Sequence, residues 1–179
     1  MRHNVFVSYY HADDQSYRDQ FEGFFARDLR VFVSKSVQIG EIAPGLRTET
    51  VRQKIRDEYL RESTVTTVLI GRMTWQRKHV DWEIGSSIRQ TQYNARSGLL
   101  GIFLPTYPLS RDNKFDPYTI PPRLYYNWKC GYANLYNWTT DANLISQWIQ
   151  QAFNIRGSVA PDNSFPHFAN NRSGDRWYD

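Results

Sequence analysis

Short, β-branched apolar runs alternate with stretches of helical periodicity over residues 1–105. The most apolar run, Val65–Ile70, is nearly continuous and stops at Gly71, which is typical of a strand covered on both faces of a parallel sheet. Further strands are predicted at residues 5–10, 30–33 and 99–104. The alternation predicts an α/β fold with an open, doubly wound parallel sheet and helices on both faces. For a small sheet of this kind we expect the flavodoxin-like strand order 2-1-3-4-5.

Helices are predicted between these strands from apolar side chains that recur on one face. The first helix carries an aromatic stripe, the second spans residues 48–61, and the third spans residues 75–90. The residues that define the three stripes are Tyr17, Phe21, Phe24 and Phe25, then Val51, Ile55 and Tyr59, then Val80, Ile84 and Ile88. Gly and Pro residues predict a substantial loop over residues 34–47.

The periodic pattern breaks after residue 105. Residues 106–140 are rich in Pro, Tyr, Trp and Asn, and predict an ordered insertion with at most a short strand near Leu135. Residues 141–156 return to a helical pattern, and residues 157–179 predict a loosely packed tail. We therefore predict one domain over residues 1–156, with its core in residues 1–105.

Composition excludes several classes of protein. A charged fraction of 22% with 16% aromatic residues excludes wholesale disorder. No apolar run approaches the roughly 20 residues that cross a bilayer, and the start of the chain has no signal-peptide core, so we expect a cytoplasmic protein without membrane contact. The single Cys130 excludes an intramolecular disulfide, and the four histidines show no metal-ligand spacing, so no metal is expected.

The basic residues outnumber the acidic ones by 22 to 18, and most of them are arginines. Arginine suits phosphates, carboxylates and aromatic faces, so a phosphorylated small molecule or an acidic partner fits this charge. Aromatic residues interleave with arginines after residue 120, but packing in the insertion explains them better than base stacking. Nucleic acid is not the expected partner.

Ligands of an open α/β sheet bind beyond the carboxyl ends of its strands, where the strand order reverses. In the predicted order this point lies between the first and third strands. Ser8, Tyr9, Tyr10 and His11 follow the first strand, and Arg72 follows the third. The helix that comes next carries three further candidates, Asp81, Trp82 and Glu83.

Helical geometry separates these three residues. At about 100° per residue, Glu83 falls on the rim of the apolar stripe and Trp82 on the exposed side. A rim carboxylate can reach a cleft, whereas a salt-bridged role suits Asp81 better. Asp13 and Asp14 resemble the acidic pair of a response-regulator receiver, but the third strand lacks the aspartate that such a site needs, so helix capping is favoured. Phosphate-binding glycine motifs and a nucleophile elbow are absent from the sequence.

Two segments resemble TIR domains. The run Val5-Phe6-Val7-Ser8-Tyr9 is similar to the first-strand signature of that family. Residues 65–88, which read VTTVLIGRMTWQRKHVDWEIGSSI, resemble the third strand and following helix of the TIR-like subunit of bacterial Thoeris antiphage systems. Many TIR domains place tryptophan four residues before their glutamate, whereas this chain has His79 there and Trp75 one turn earlier.

The resemblance implies an enzyme that takes NAD as its substrate, without a further cofactor. Such an enzyme cleaves the nicotinamide–ribose bond and forms a cyclic ADP-ribose-type messenger that activates a separate, nucleotide-sensing effector. It leaves open a homo-oligomer formed on activation and a phage-derived trigger. The family's essential glutamate falls on Glu83. The expected substrate-binding residues are Ser8, Tyr9, Tyr10, His11, Arg72, Trp75 and His79.

Two other functions remain open from the sequence. A non-catalytic TIR adaptor would act through protein–protein contacts near residues 34–47 and would not depend on Glu83. An enzyme similar to nucleoside deoxyribosyltransferases would exchange bases on deoxynucleosides, using a glutamate in a related α/β architecture. The first-strand signature and the basic surface favour NAD over deoxynucleosides.

Overall fold

A computed structural model describes residues 2–35, 50, 53, 54, 57, 60–92 and 94–178. Its single sheet has five strands, all parallel, in the order β2-β1-β3-β4-β5. The strands are β1 (Asn4–Ser8), β2 (Val33–Ser34), β3 (Val65–Ile70), β4 (Gly98–Phe103) and β5 (Ala133–Asn137). The predicted fold class and strand order are confirmed.

The two central strands of the sheet are covered on both faces. Every residue of β3 and β4 is buried, and Val65 lies opposite Val5 on one side and Gly98 on the other. Because both faces of these strands are covered, the sequence shows continuous apolar runs there rather than alternation. This central position places the carboxyl end of β3 beside that of β1, which is the predicted ligand edge.

Helices cover both faces of the sheet. They are α1 (His11–Phe21), α2 (Lys78–Ser87), α3 (Pro122–Lys129) and α4 (Ala142–Ser158). One core contains residues from α1 and α4, such as Phe21 and Ile149, and the other contains residues from α2 and α3, such as Ile84 and Leu124. Helix α1 continues into a π-helical segment at Glu22–Asp28, and a short 3₁₀ turn at Thr74–Gln76 precedes α2.

Some predicted boundaries shift. The second strand is only Val33–Ser34 rather than residues 30–33, because the pairing of β2 with β1 begins at Val33 opposite Asn4. The predicted helix at residues 75–90 divides into the 3₁₀ turn and α2. Most of the predicted loop at residues 34–47 and of the predicted helix at residues 48–61 lies outside the described residues, including Val51, Ile55 and Tyr59.

The insertion contains a helix that the sequence did not predict, α3. Pro122 occupies the first turn of this helix, where a missing N–H costs nothing, and Gly131 ends it with a φ of 80°. Eight residues are fewer than the roughly 11–18 over which a hydrophobic period is recognised, and five of them are aromatic or charged side chains of differing burial. The short strand near Leu135 is confirmed as β5.

The C-terminal segment, residues 160–178, packs against the domain, so the predicted loose tail is wrong. Phe168 and Trp177 are 4% and 2% exposed, and the Trp177 indole N–H donates to the Ile120 carbonyl at 2.7 Å. The Trp82 indole N–H donates to the Phe168 carbonyl at 2.8 Å, so Trp82 is buried rather than exposed as predicted. The segment thus covers the side of α2 that faces away from the sheet.

Across the ranges that the structure describes, no helix combines the length and apolarity that a membrane crossing requires.

Candidate active site at the carboxyl edge of β1

A serine and a glutamate meet at the end of β1. Ser8 is the last residue of that strand, and its hydroxyl donates a hydrogen bond of 2.5 Å to Oε2 of Glu83 in α2. Ser8 is fully buried and Glu83 is 3% exposed. The predicted rim position of Glu83 is therefore wrong, because this side of α2 lies against the end of β1.

Burial sets the protonation of Glu83. Removal of water from the carboxylate raises the pKa of Glu83 to about 8, against the opposing effect of the Ser8 hydrogen bond. The carboxyl group is thus mostly protonated near neutral pH when no ligand is present. A cation placed beside it would favour the ionised form.

Two histidines lie close in sequence to Ser8 and Glu83. His79 lies one helical turn before Glu83, so both side chains leave α2 on the same face. His11 begins α1, three residues after Ser8, and its charge lowers the pKa of His79 further, after burial and Lys78. The structure thus places four predicted site residues near one edge of the sheet, Ser8, His11, His79 and Glu83.

The two tyrosines do not present open faces. Tyr9 is 2% exposed and belongs to the core between the sheet, α1 and α4. Its ring lies 4.3 Å from the ring of His11. Tyr10 is half-buried, and the Arg77 guanidinium lies 4.1 Å above its ring. Arg77 thus occupies one face of the Tyr10 ring.

Arg72 and Trp75 line a separate cleft of about 560 Å³. Its other lining residues come from α1, the loop after β4 and the C-terminal segment, and include Asp13, Pro108 and Asp175. Glu83 is not among the described residues that line this cleft. The predicted site residues therefore form two groups at the same edge, a buried group around Glu83 and a group that faces solvent around Arg72.

Asp14 accepts hydrogen bonds from two loops at this edge and does not cap α1. The residue before α1 is Tyr10, which makes no side-chain capping bond, so the predicted capping role is wrong. The fully buried Asp14 carboxylate accepts hydrogen bonds from Thr106 at 3.2 Å and Thr74 at 3.5 Å. Neither threonine was singled out in the sequence, since their spacing from Asp14 carries no signal. Burial raises the pKa of Asp14.

The described residues contain no group of three or more His, Cys, Asp or Glu side chains placed to hold a metal ion.

Replacing Gly71 by alanine is expected to destabilise the protein by about 1–3 kcal/mol. A methyl group at Gly71 would overlap the Asp14 carboxylate, and that carboxylate is buried and held by two threonines. The measurement is urea unfolding followed by circular dichroism. The matched control is Gly157→Ala in α4, where an added methyl group contacts nothing. Equal unfolding midpoints for the two variants would contradict this packing.

A buried ion pair connects the side of α2 that faces away from the sheet with α3 and the C-terminal segment. The Arg123 guanidinium in α3 is fully buried and donates to Asp81 at 3.0 Å. Its remaining N–H groups reach Asn163 at 2.6 Å, the Phe165 carbonyl at 2.7 Å and His167 at 3.1 Å, all in the C-terminal segment. The second oxygen of Asp81 accepts from the Phe168 N–H at 2.9 Å. The predicted salt-bridged role of Asp81 is thus confirmed, whereas the sequence did not predict that Arg123 is its partner.

The parallel sheet of order 2-1-3-4-5 defines a flavodoxin-like α/β protein, and the glutamate of the helix after β3, held against the end of β1, is consistent with a TIR-like domain. A sequence model of the family described as Thoeris protein ThsB, TIR-like domain, matches residues 6–107. Since this match covers more than half of the chain, the protein belongs to the ThsB TIR-like family of Thoeris antiphage defence. The match extends from β1 to just past β4 and does not include α3, β5, α4 or the C-terminal segment. No curated protein matches the sequence.

Proposed function

We propose that this protein cleaves NAD and converts it into a cyclic ADP-ribose-type messenger that activates a separate effector during phage infection. The observation that carries the proposal is the buried hydrogen bond between Ser8 and Glu83 at the carboxyl edge of β1. An isolated buried glutamate with a raised pKa is costly to the fold, and such groups concentrate at functional sites.

The chemistry of NAD cleavage suits this carboxyl group. Loss of nicotinamide develops positive charge on the ribose, as in glycoside cleavage, and an adjacent carboxylate stabilises that charge. Nicotinamide leaves as a neutral molecule, so no acid is required. The substrate's own positively charged nicotinamide ring would favour ionisation of Glu83 on binding, which supplies the carboxylate when it is needed.

The surroundings of Glu83 favour cyclisation over hydrolysis. A carboxyl group that is 3% exposed keeps bulk water from the reacting carbon, so a group of the substrate itself can react in its place. Arg72 in the neighbouring cleft remains the predicted partner of the pyrophosphate. A homo-oligomer and a phage-derived trigger remain predictions of the family resemblance.

The test is expression of wild-type protein and Glu83→Gln in cells challenged with phage, with mass spectrometry of deproteinised lysates. We expect NAD loss and a new ADP-ribose species with wild type, and a decrease of about a hundredfold or more with Glu83→Gln. The matched control is Glu62→Gln, because Glu62 is an exposed glutamate paired with Lys35 at the surface.

Wild-type levels of the new nucleotide with Glu62→Gln and none with Glu83→Gln would support the proposal. If wild type leaves the nucleotide pool unchanged across several phages, the protein is not an NAD-cleaving enzyme. In that case defence that persists with Glu83→Gln would assign the role of a TIR adaptor.

A further inference from the structure

A chain of hydrogen bonds runs from α1 to the ring of His11. Gln15 donates from Nε2 to the Asp19 carboxylate at 2.9 Å, and an ionised carboxylate can only accept. The amide orientation of Gln15 is therefore determined, and its Oε1 faces the Tyr9 hydroxyl at 2.7 Å. An amide oxygen only accepts, so the Tyr9 proton is committed to Gln15.

This chain determines the tautomer of His11. The Tyr9 oxygen lies 2.9 Å from Nδ1 of His11, and it has no second proton to donate. Nδ1 must therefore carry the proton and donate to Tyr9, which leaves Nε2 with a free lone pair in the neutral ring. Burial raises the pKa of Tyr9 to about 12, so the phenol keeps its proton over the physiological range.

The free nitrogen has no partner in the protein. Nε2 of His11 is buried and makes no hydrogen bond with any described residue. Nδ1 of His79 is likewise buried without a hydrogen-bond partner among the described residues. Burial lowers the pKa of His11, so the ring is neutral near pH 7 and its lone pair is available. A buried acceptor without a donor is costly, so this nitrogen is ready to accept from a molecule that enters beside it, water or a substrate hydroxyl.

We propose that Nε2 of His11 is the proton acceptor for the substrate hydroxyl that closes the ring of the messenger at the Glu83 site. This role rests on the proposed function. His11 follows Ser8 by three residues at the start of α1, and His79 precedes Glu83 by one turn of α2, so a ribose held against Glu83 would lie on the same side of the sheet edge as both imidazoles.

The step balances without a further reactant. The hydroxyl oxygen forms a bond to the ribose carbon as the bond from that carbon to nicotinamide breaks. The electron pair of the breaking bond leaves with nicotinamide, which becomes neutral. The hydroxyl proton passes to Nε2 of His11, and the resulting imidazolium keeps its Nδ1–H bond to Tyr9. The Tyr9–Gln15–Asp19 chain acts through His11, so Tyr9 and Gln15 are positioning residues.

Two variants separate these roles. His11→Asn keeps an amide N–H near the position of Nδ1 and deletes Nε2. Gln15→Met frees the Tyr9 hydroxyl to donate to His11, which moves the ring proton to Nε2. Gln20→Met is the matched control, since Gln20 is an exposed glutamine on the same helix.

The first readout is the tautomer, from long-range proton–nitrogen correlation spectra of purified protein labelled with ¹⁵N-histidine. His11→Asn assigns the signals of His11 among the four histidines. We expect a protonated Nδ1 and a bare Nε2 in wild type and Gln20→Met, and the reverse in Gln15→Met. A bare Nδ1 in wild type overturns the proposal.

The second readout is the ratio of cyclic product to released nicotinamide in lysates of phage-infected cells. General-base contributions of about 10²–10⁴ lead us to expect at least a tenfold decrease for His11→Asn and Gln15→Met, with no change for Gln20→Met. An unchanged ratio in His11→Asn overturns the role of His11 while leaving NAD cleavage intact. A wild-type protein that consumes no NAD overturns both this role and the proposed function.

Discussion

Replacement of Arg123 by methionine is expected to destabilise the protein by about 3–5 kcal/mol, because it leaves the Asp81 carboxylate buried without its counter-charge. Asp81 is 1% exposed, and burial would by itself raise its pKa. The His167 ring, the charge of Arg123 and the Phe168 N–H outweigh that effect and hold the pKa of Asp81 below its usual value. The methionine side chain fills a similar volume but satisfies none of the acceptors that Arg123 serves.

Loss of Arg123 should also release the C-terminal segment. The Arg123 guanidinium donates to Asn163, Phe165 and His167 of that segment. The backbone of the segment also covers Trp82. The measurements are urea unfolding and limited proteolysis. We expect a lower unfolding midpoint together with cleavage within residues 160–178 under conditions in which wild type stays intact.

Two further variants control this experiment. Arg176→Met removes a half-exposed arginine that pairs with Asp116 at 2.6 Å, and an exposed pair of this kind contributes about 0–1 kcal/mol. Asp81→Asn combined with Arg123→Met removes the uncompensated charge, so it should recover part of the stability lost in Arg123→Met. Equal losses in Arg123→Met and Arg176→Met would show that the buried pair does not hold the segment.

Glu83→Gln is expected to stabilise the protein, in contrast to its effect on activity. Burial raises the pKa of Glu83 from 4.5 to about 8, so between these values the folded state keeps a proton that the unfolded state has lost. Wild-type stability therefore decreases as the pH rises through this window and becomes constant above about pH 8. Glutamine does not titrate, so the variant should gain up to about 3 kcal/mol over wild type at pH 7.

The measurement is thermal unfolding of both proteins at intervals between about pH 5 and pH 9. The two melting temperatures should be closest at the acid end and separate steadily towards pH 8. Glu62→Gln should show no such gain, because Lys35 lowers the pKa of Glu62 and its charged form is the favoured one. Parallel curves for wild type and Glu83→Gln would mean that Glu83 ionises normally in the folded protein.

Much of the fold was predictable because it depends on local pattern. The central strands β3 and β4 are continuous apolar runs, and α2 carries Val80, Ile84 and Ile88 on the face that packs against the sheet. A parallel sheet with alternating helices also has a known ligand edge, so the sequence predicted that Ser8 and Glu83 lie near each other. The helix α3 was missed because its eight residues show no clear period.

The amino-acid sequence by itself indicated the central strands and the apolar face of α2, because these follow from the spacing of neighbouring side chains. The topology rules for a small doubly wound sheet then supplied the strand order and the ligand edge near Ser8 and Glu83. Only the tertiary structure decided which polar groups are buried. Periodicity shows which face of α2 meets the sheet, but its other face is covered by residues 160–178, which lie about 80 positions further along the chain. That coverage buries Trp82 and Asp81. Glu83 leaves α2 on another side, against Ser8 of β1, and its burial there sets the protonation of the carboxyl group on which the proposed chemistry depends.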